Sequence, residues 1–304
     1  MSVGNGGPAW DARVLERVRA LHLVARQAVA GARHGAHRSV RIGHDVEFSD
    51  YKPYLPGDSL RDVDWRVLAR TDRPVVRRYR AETELAVTIV LDASADLGST
   101  PGKFETAVRL AATLAYFLHL SGEPVGLVIG AGEGMPVREL PPRQGARHLA
   151  LLLTTLAAVR PAGRAGLDAL FRTVGGRLGT RTLVAVLSDF MEEPAEWTAA
   201  LAALVRNRVD LRAFHLVDPD ELRLGYDAPL RLRSPESGEE LPVDPVATRE
   251  AFGAVVDGWF AEVSDAVRAR RGVYTRVSAG ADLAEVLQRF ADPAGATVAR
   301  GARA

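Results

Sequence analysis

The run Leu85-Ala86-Val87-Thr88-Ile89-Val90-Leu91 constrains this chain most, because it is β-branched, has no apolar–polar alternation, and suits a strand buried on both faces. Runs of the same kind follow at Pro124–Ile129, Thr182–Leu187, Leu211–Val217 and Gly272–Val277. Helical patterns fill the intervals at Lys103–Leu120, Gln144–Val159, Gly166–Val174, Pro194–Arg206 and Pro245–Arg270, and a last one covers Asp282–Phe290. Strands alternating with helices form βαβ units on a parallel sheet covered on both faces. The pattern therefore predicts a doubly wound, mostly parallel α/β domain of Rossmann type over residues 83–292.

The flanking segments read differently. Val14, Val18, Leu21 and Val24 recur at helical spacing, so Asp11–Val29 is expected to form an amphipathic helix. Residues 31–80 are polar, aromatic and charge-dense, with turn signals at Pro53 and Pro56-Gly57-Asp58. Asp58 is placed to cap a helix starting at Ser59, with Leu60, Val63, Val67 and Leu68 as its apolar stripe. A small β-rich unit and a wrap around the main domain are both compatible with residues 35–80. Residues 1–82 are thus grouped as an N-terminal helix and a charged segment, and 293–304 as a tail. Residues 218–245 are rich in Pro, Gly and charge and suit a small hairpin with Leu230–Leu232 as one arm.

Composition removes several function classes. The chain has no cysteine, which excludes disulfides, thiolate nucleophiles and sulfur-ligated metals. Its net charge is +1, so no overall field draws it to nucleic acid. Of 39 basic residues only Lys52 and Lys103 are lysine, a skew that reads as coding bias and discounts arginine clusters such as Arg77-Arg78. No stretch reaches the ~20 apolar residues that span a bilayer, and the first residues lack a basic start followed by an apolar core. A cytoplasmic location without membrane insertion is the expectation.

In a doubly wound sheet, ligands gather beyond the carboxyl ends of the strands at the topological switch point. Here the first strand runs into Asp92-Ala93-Ser94-Ala95-Asp96 and a later one into Ser188-Asp189-Phe190. Asp92, Ser94, Asp96 and Asp189 thus offer hard oxygen ligands on one rim, the chemistry a cation such as Mg²⁺ takes. This pair of motifs resembles the metal-ion-dependent adhesion site of von Willebrand factor A domains. A more specific resemblance lies upstream. Gly43-His44-Asp45-Val46-Glu47-Phe48, Tyr54-Leu55-Pro56-Gly57-Asp58, Arg61, Asp64-Trp65, Ala69-Arg70, Val76, Tyr79 and Glu82 match the domain-of-unknown-function-58 family in order and spacing. The resemblance spans Gly35 to Phe290. It implies a von Willebrand A-like domain and an association with MoxR-type AAA+ ATPases.

Two departures bear on the ion. The adhesion motif is Asp-x-Ser-x-Ser, and Asp96 stands where its second serine belongs. The loop that normally supplies a threonine reads Pro161-Ala162-Gly163-Arg164-Ala165-Gly166-Leu167-Asp168. Either Asp96 replaces the hydroxyl and keeps a divalent ion, or the Arg164 guanidinium fills the vacancy and displaces it. In the upstream block Tyr54, Asp58, Arg61, Asp64 and Trp65 are candidates for a docking face, with Trp65 or Tyr54 as anchor. The competing reading is that they fasten the segment to the main domain.

Enzyme motifs fail on spacing. Gly98-Ser99-Thr100-Pro101-Gly102-Lys103-Phe104 has three residues between its glycines instead of four, and Phe104 where a phosphate loop needs Ser or Thr. Gly130-Ala131-Gly132-Glu133-Gly134 lacks dinucleotide-binding spacing and suits a hairpin turn. No Gly-x-Ser-x-Gly elbow occurs. The histidines form no His-x-x-x-His pair. The expectation is a non-enzymatic adaptor or regulator of a MoxR-type ATPase. The alternative is a metal-dependent hydrolase with Asp189 or Asp96 as general base.

Overall fold

The computed structural model describes residues 12–35, 48–55, 63–79, 85–130, 137–164, 166–176, 182–205, 209–219, 221–222, 226–233 and 238–291. The chain divides into two compact units, residues 1–40 with 85–304, and residues 41–84.

In the larger unit the run read first becomes β3 (Ala86–Asp92), preceded in the chain by α1 (Ala12–Gly35) and, in the smaller unit, by β1 (Phe48–Pro53), α2 (Trp65–Thr71) and β2 (Val75–Tyr79). After β3 come α3 (Pro101–Ser121), β4 (Val125–Gly130), β5 (Arg138–Arg143), α4 (Ala146–Ala158), α5 (Leu167–Gly175), β6 (Thr182–Ser188) and α6 (Pro194–Val205). β7 (Asp210–Val217), β8 (Leu230–Arg233), β9 (Glu240–Val243), α7 (Pro245–Arg268), β10 (Val273–Ser278) and α8 (Leu283–Ala291) complete the order.

The main sheet has six strands in the order β10-β7-β6-β3-β4-β5. All its pairings are parallel except β4 with β5. The chain leaves β3 for β4 on one side and later returns to β6 on the other. The sheet's winding therefore reverses between β3 and β6, and the crevice beyond their ends is the switch point. Strand β5 was not foreseen. Its sequence, RELPPR, has two prolines and no apolar alternation, which only an edge strand tolerates. Strands β4 and β5 pair antiparallel; of the Gly-rich segment expected to turn between them, residues 131–136 lie outside the described residues.

Val90, Val128, Val184, Val186, Leu211 and Ala213 pack against α5, α6 and α7 around Phe171, Phe190 and the fully buried Trp197. A second helical layer brings α1, α3, α4 and α8 together. Helix α1 buries Leu21, Ala25, Ala28, Val29 and Ala32, one stripe at helical spacing. The expected division grouped this helix with residues 1–82; in the structure it packs within the α/β unit. Strands β8 and β9 pair antiparallel, Leu230 opposite Val243, and form the hairpin expected in 218–245. Among the described residues no helix is long and apolar enough to cross a membrane.

In the smaller unit β1 and β2 pair antiparallel, and Val63 bridges to Val76. The helix expected from Ser59 instead begins at Trp65. Val63 is committed to the bridge, and Asp64 is extended (φ −84°, ψ 94°) and serves as the cap. Its Oδ1 accepts from the backbone N–H of Arg66 (2.9 Å) and of Val67 (3.2 Å), satisfying two of the helix's orphan donors. Asp58, the expected cap, lies outside the described residues.

Candidate functional site

Strand β3 delivers Asp92 and strand β6 delivers Ser188 to adjacent positions at the switch point. Asp92 is 3% exposed, and both its oxygens are engaged. Oδ1 accepts from the Ser94 backbone N–H at 2.9 Å, and Oδ2 accepts from the Ser188 hydroxyl at 2.6 Å. Ser94 Oγ in turn accepts from Leu97 N–H (3.3 Å), which folds the loop after β3 back on itself. That loop is pinned to the loop before α5 by Ala95 N–H to Gly163 O (2.7 Å) and Ala162 N–H to Ala93 O (2.9 Å). Gly130, at the end of β4, makes room for α5: a Cβ there would lie 2.5 Å from Leu170 Cδ2.

After Asp189 the backbone turns through Phe190 at φ 50°. Left-handed backbone costs a bulky residue about 1–3 kcal/mol. Burial of its ring against Trp197 (5.6 Å between centroids) and His215 (5.4 Å) offsets that cost. The turn leaves the next residue, Met191, 61% exposed. Asp92, Ser94, Asp96, Arg164, Leu167, Asp189, Met191 and Glu192 then line one open cleft of about 40 Å³. Glu192 accepts from the Leu167 backbone N–H (3.0 Å) at the start of α5. All four residues expected at the rim, Asp92, Ser94, Asp96 and Asp189, are thus brought together.

The residue that sequence reasoning passed over is Lys103. It stands in the first turn of α3, is 2% exposed, and donates from Nζ to Asp189 Oδ2 at 2.9 Å. It also donates to Glu221 Oε1 (2.8 Å) and Oε2 (3.1 Å), from the segment after β7. Arg164, the cation proposed for the vacancy, lines the cleft and pairs with Glu196 at 3.0 Å, both half-exposed. Lys103 is thus in direct contact with a strand-end aspartate.

Burial drives the local electrostatics. Burial, then the neighbouring Asp189, push Asp92 up to about 7, against the opposing bonds from Ser188 and Ser94. Burial likewise raises Asp189, opposed by Lys103, and raises the half-buried Asp96. Burial alone would lower Lys103, but Asp189 and Glu221 together hold it above the ordinary lysine value. On β7, burial and then Arg276 push His215 down to about 3, and its Nδ1 lies 2.8 Å from the Tyr274 hydroxyl.

Mg²⁺ binds through one or two carboxylates and keeps its other positions for water, so its fit depends on Asp92 and Asp189. As arranged, these side chains do not fit a divalent cation. Asp189 is charge-paired with Lys103, both oxygens of Asp92 are committed to Ser94 and Ser188, and Arg164 stands in the loop that would carry a threonine. Among the described residues no three His, Asp or Glu side chains form a metal-holding group.

Of the upstream candidates, Asp64 is 4% exposed and committed to its cap and to the Tyr51 hydroxyl, which donates to Oδ2 at 3.0 Å. Tyr54 is half-buried and its backbone N–H donates to Pro74 O (3.0 Å). Trp65 is 60% exposed and is the one presented to solvent. Asp58 and Arg61 lie outside the described residues.

Comparison with known proteins agrees with the upstream motifs. The family model described as "Protein of unknown function DUF58" matches residues 50–257. The uncharacterized protein Rv1480 of Mycobacterium tuberculosis is 31% identical over 274 residues, covering 86% of this chain and 84% of its own. The uncharacterized protein Mb1516 of Mycobacterium bovis matches with the same figures. Among solved structures, an aerotolerance-related membrane protein from Bacteroides fragilis superposes with a TM-score of 0.46 at 17% identity, over 69% of this chain and 97% of that one. The VWA domain of SpRpn10 does so with a TM-score of 0.38 at 9% identity, over 67% of this chain and 94% of that one. With more than half of its length matched by the family model, and relatives 31% identical along most of it, the chain belongs to the DUF58 family.

Proposed function

We propose that this chain is a non-enzymatic protein-binding module, an adaptor or regulator of a MoxR-type AAA+ ATPase, and that it docks its partner at the β3/β6 rim. The observation that carries the reading is the open cleft at the switch point, where polar groups converge beside the exposed Met191. An apolar side chain standing free among convergent polar groups is the makeup of a docking anchor with a polar surround. The ATPase as partner comes from the family resemblance. Trp65, 60% exposed in the smaller unit, is a second candidate anchor.

The hydrolase alternative needs a carboxylate free to take a proton from water. Asp189 is instead tied to an ammonium at 2.9 Å, which weighs against it as that base and leaves Asp96 as the hydrolase reading's candidate. The test is a pull-down from native lysate with tagged wild type, Met191→Glu and Asp92→Ala, each in Mg²⁺ and in chelator. Recovery of an AAA+ ATPase by the wild type and its loss in Met191→Glu is the expected result. Absence of any ATPase in the wild-type lanes would sink the reading.

A further inference from the structure

We propose that the Lys103 ammonium stands in this site for the divalent cation its motif would otherwise hold, so that the rim works without metal. The inference concerns the same rim as the docking role and rests on that reading only for its biological use.

The placement of Lys103 is costly unless its charge is needed. The N-terminus of a helix carries partial positive charge, so a cation in the first turn of α3 is repelled by the helix itself. Its side chain is also nearly closed to solvent, and a buried ammonium persists only when paired and hydrogen-bonded. Both penalties are met by Asp189 on the inner side and Glu221 on the outer side. Between them their oxygens take all three of the ammonium's donors.

The residue type supports the same conclusion. Nearly every basic residue in this chain is arginine, yet a lysine stands here. A compact ammonium on a flexible stem fits a closed pocket that a planar guanidinium, with its five donors, does not. What a divalent ion would contribute, charge directed at the strand-end carboxylates, Lys103 contributes at Asp189. The other strand-end carboxylate, Asp92, accepts from the Ser188 hydroxyl and the Ser94 N–H within the protein. The rim therefore holds its cation covalently, at fixed stoichiometry, and insensitive to chelators.

The experiment is a Mn²⁺ titration of chelator-stripped protein by calorimetry and thermal shift, using the whole chain. Wild type is expected to show no saturable binding and no shift. Lys103→Met is expected to gain Mn²⁺ affinity by at least about tenfold over wild type and a metal-dependent rise in Tm. Adding Asp189→Asn to that background is expected to remove the gain. Lys103→Gln, which keeps a donor toward Asp189, replaces Lys103→Met if the latter fails to fold. Saturable binding by the wild type that Asp92→Ala abolishes would overturn the inference, as would a folded Lys103 variant with no gain. Metal binding is read on the protein alone, so either result leaves the partner assignment to its own pull-down.

Discussion

Lys103 Nζ and Asp189 Oδ2 meet at 2.9 Å across the switch point, with side-chain exposures of 2% and 5%. Breaking such a pair from one side strands a buried charge, at a cost of ~3–5 kcal/mol, whereas removing both charges is far milder. Lys103→Met is therefore expected to destabilise the protein by that amount, and Lys103→Met/Asp189→Asn to recover much of it. Urea denaturation of the two variants and wild type measures the coupling. Additive losses would show that the pair is not a coupled unit.

Asp92 makes stability fall with rising pH. Its pKa stands at about 7 in the folded chain against an ordinary 3.8, so folding takes up a proton between those values. The favourable share is present below 3.8 and is lost as pH rises through 7. Asp92→Asn keeps the shape and, by rotation of the Ser188 hydroxyl, a hydrogen bond. It is expected to raise Tm at pH 8 by about 3 °C or more, equivalent to roughly 1 kcal/mol, and by less at pH 5. A loss of Tm at pH 8 would contradict the assignment.

His215 acts in the opposite sense. Its folded pKa of about 3 lies below the ordinary 6.5, so the neutral ring is what the core accepts. Its contribution is complete above 6.5 and drains away as pH falls toward 3. Because Asp92 shifts stability the other way over much of the same window, the histidine is read as a difference between two proteins. In thermal scans from pH 7 to 4, the wild type is expected to lose Tm relative to His215→Leu, which fills the space without titrating.

Gly130 tests how α5 is seated beside the rim. A methyl group there would meet Leu170 at 2.5–2.8 Å, and overpacking of this kind costs roughly 1–3 kcal/mol. Gly130→Ala is expected to lose stability within that range, and Gly130→Ala/Leu170→Ala to lose less than the two single losses summed. Chemical denaturation of the three variants checks this.

The sheet and most of its helices were legible because buried parallel strands announce themselves as unbroken β-branched runs, as Leu85–Leu91 does. The rim aspartates were legible for the same reason, since strand ends fix where the switch point falls. β5 was not, because its edge position leaves RELPPR free of any apolar pattern. The start of α2 was displaced because Val63, read into the helix's apolar stripe, bridges to Val76, and Asp64 is the cap. Lys103 was judged only against a phosphate-loop spacing that it fails. The signals that mark it are its residue type in an arginine-dominated chain and its place at a helix N-terminus. Neither reveals Asp189 and Glu221, which lie 86 and 118 residues away and reach Lys103 only through the fold.

The most direct test of the docking role is site-specific photocrosslinking in native lysate, with p-benzoylphenylalanine at Met191 and, as control, at Leu241, which is 63% exposed on β9. The account predicts an adduct between the Met191 probe and an AAA+ ATPase, retained in chelator and absent from the Leu241 probe. Adducts that lack an ATPase, or that form equally at both positions, would contradict docking at the β3/β6 rim.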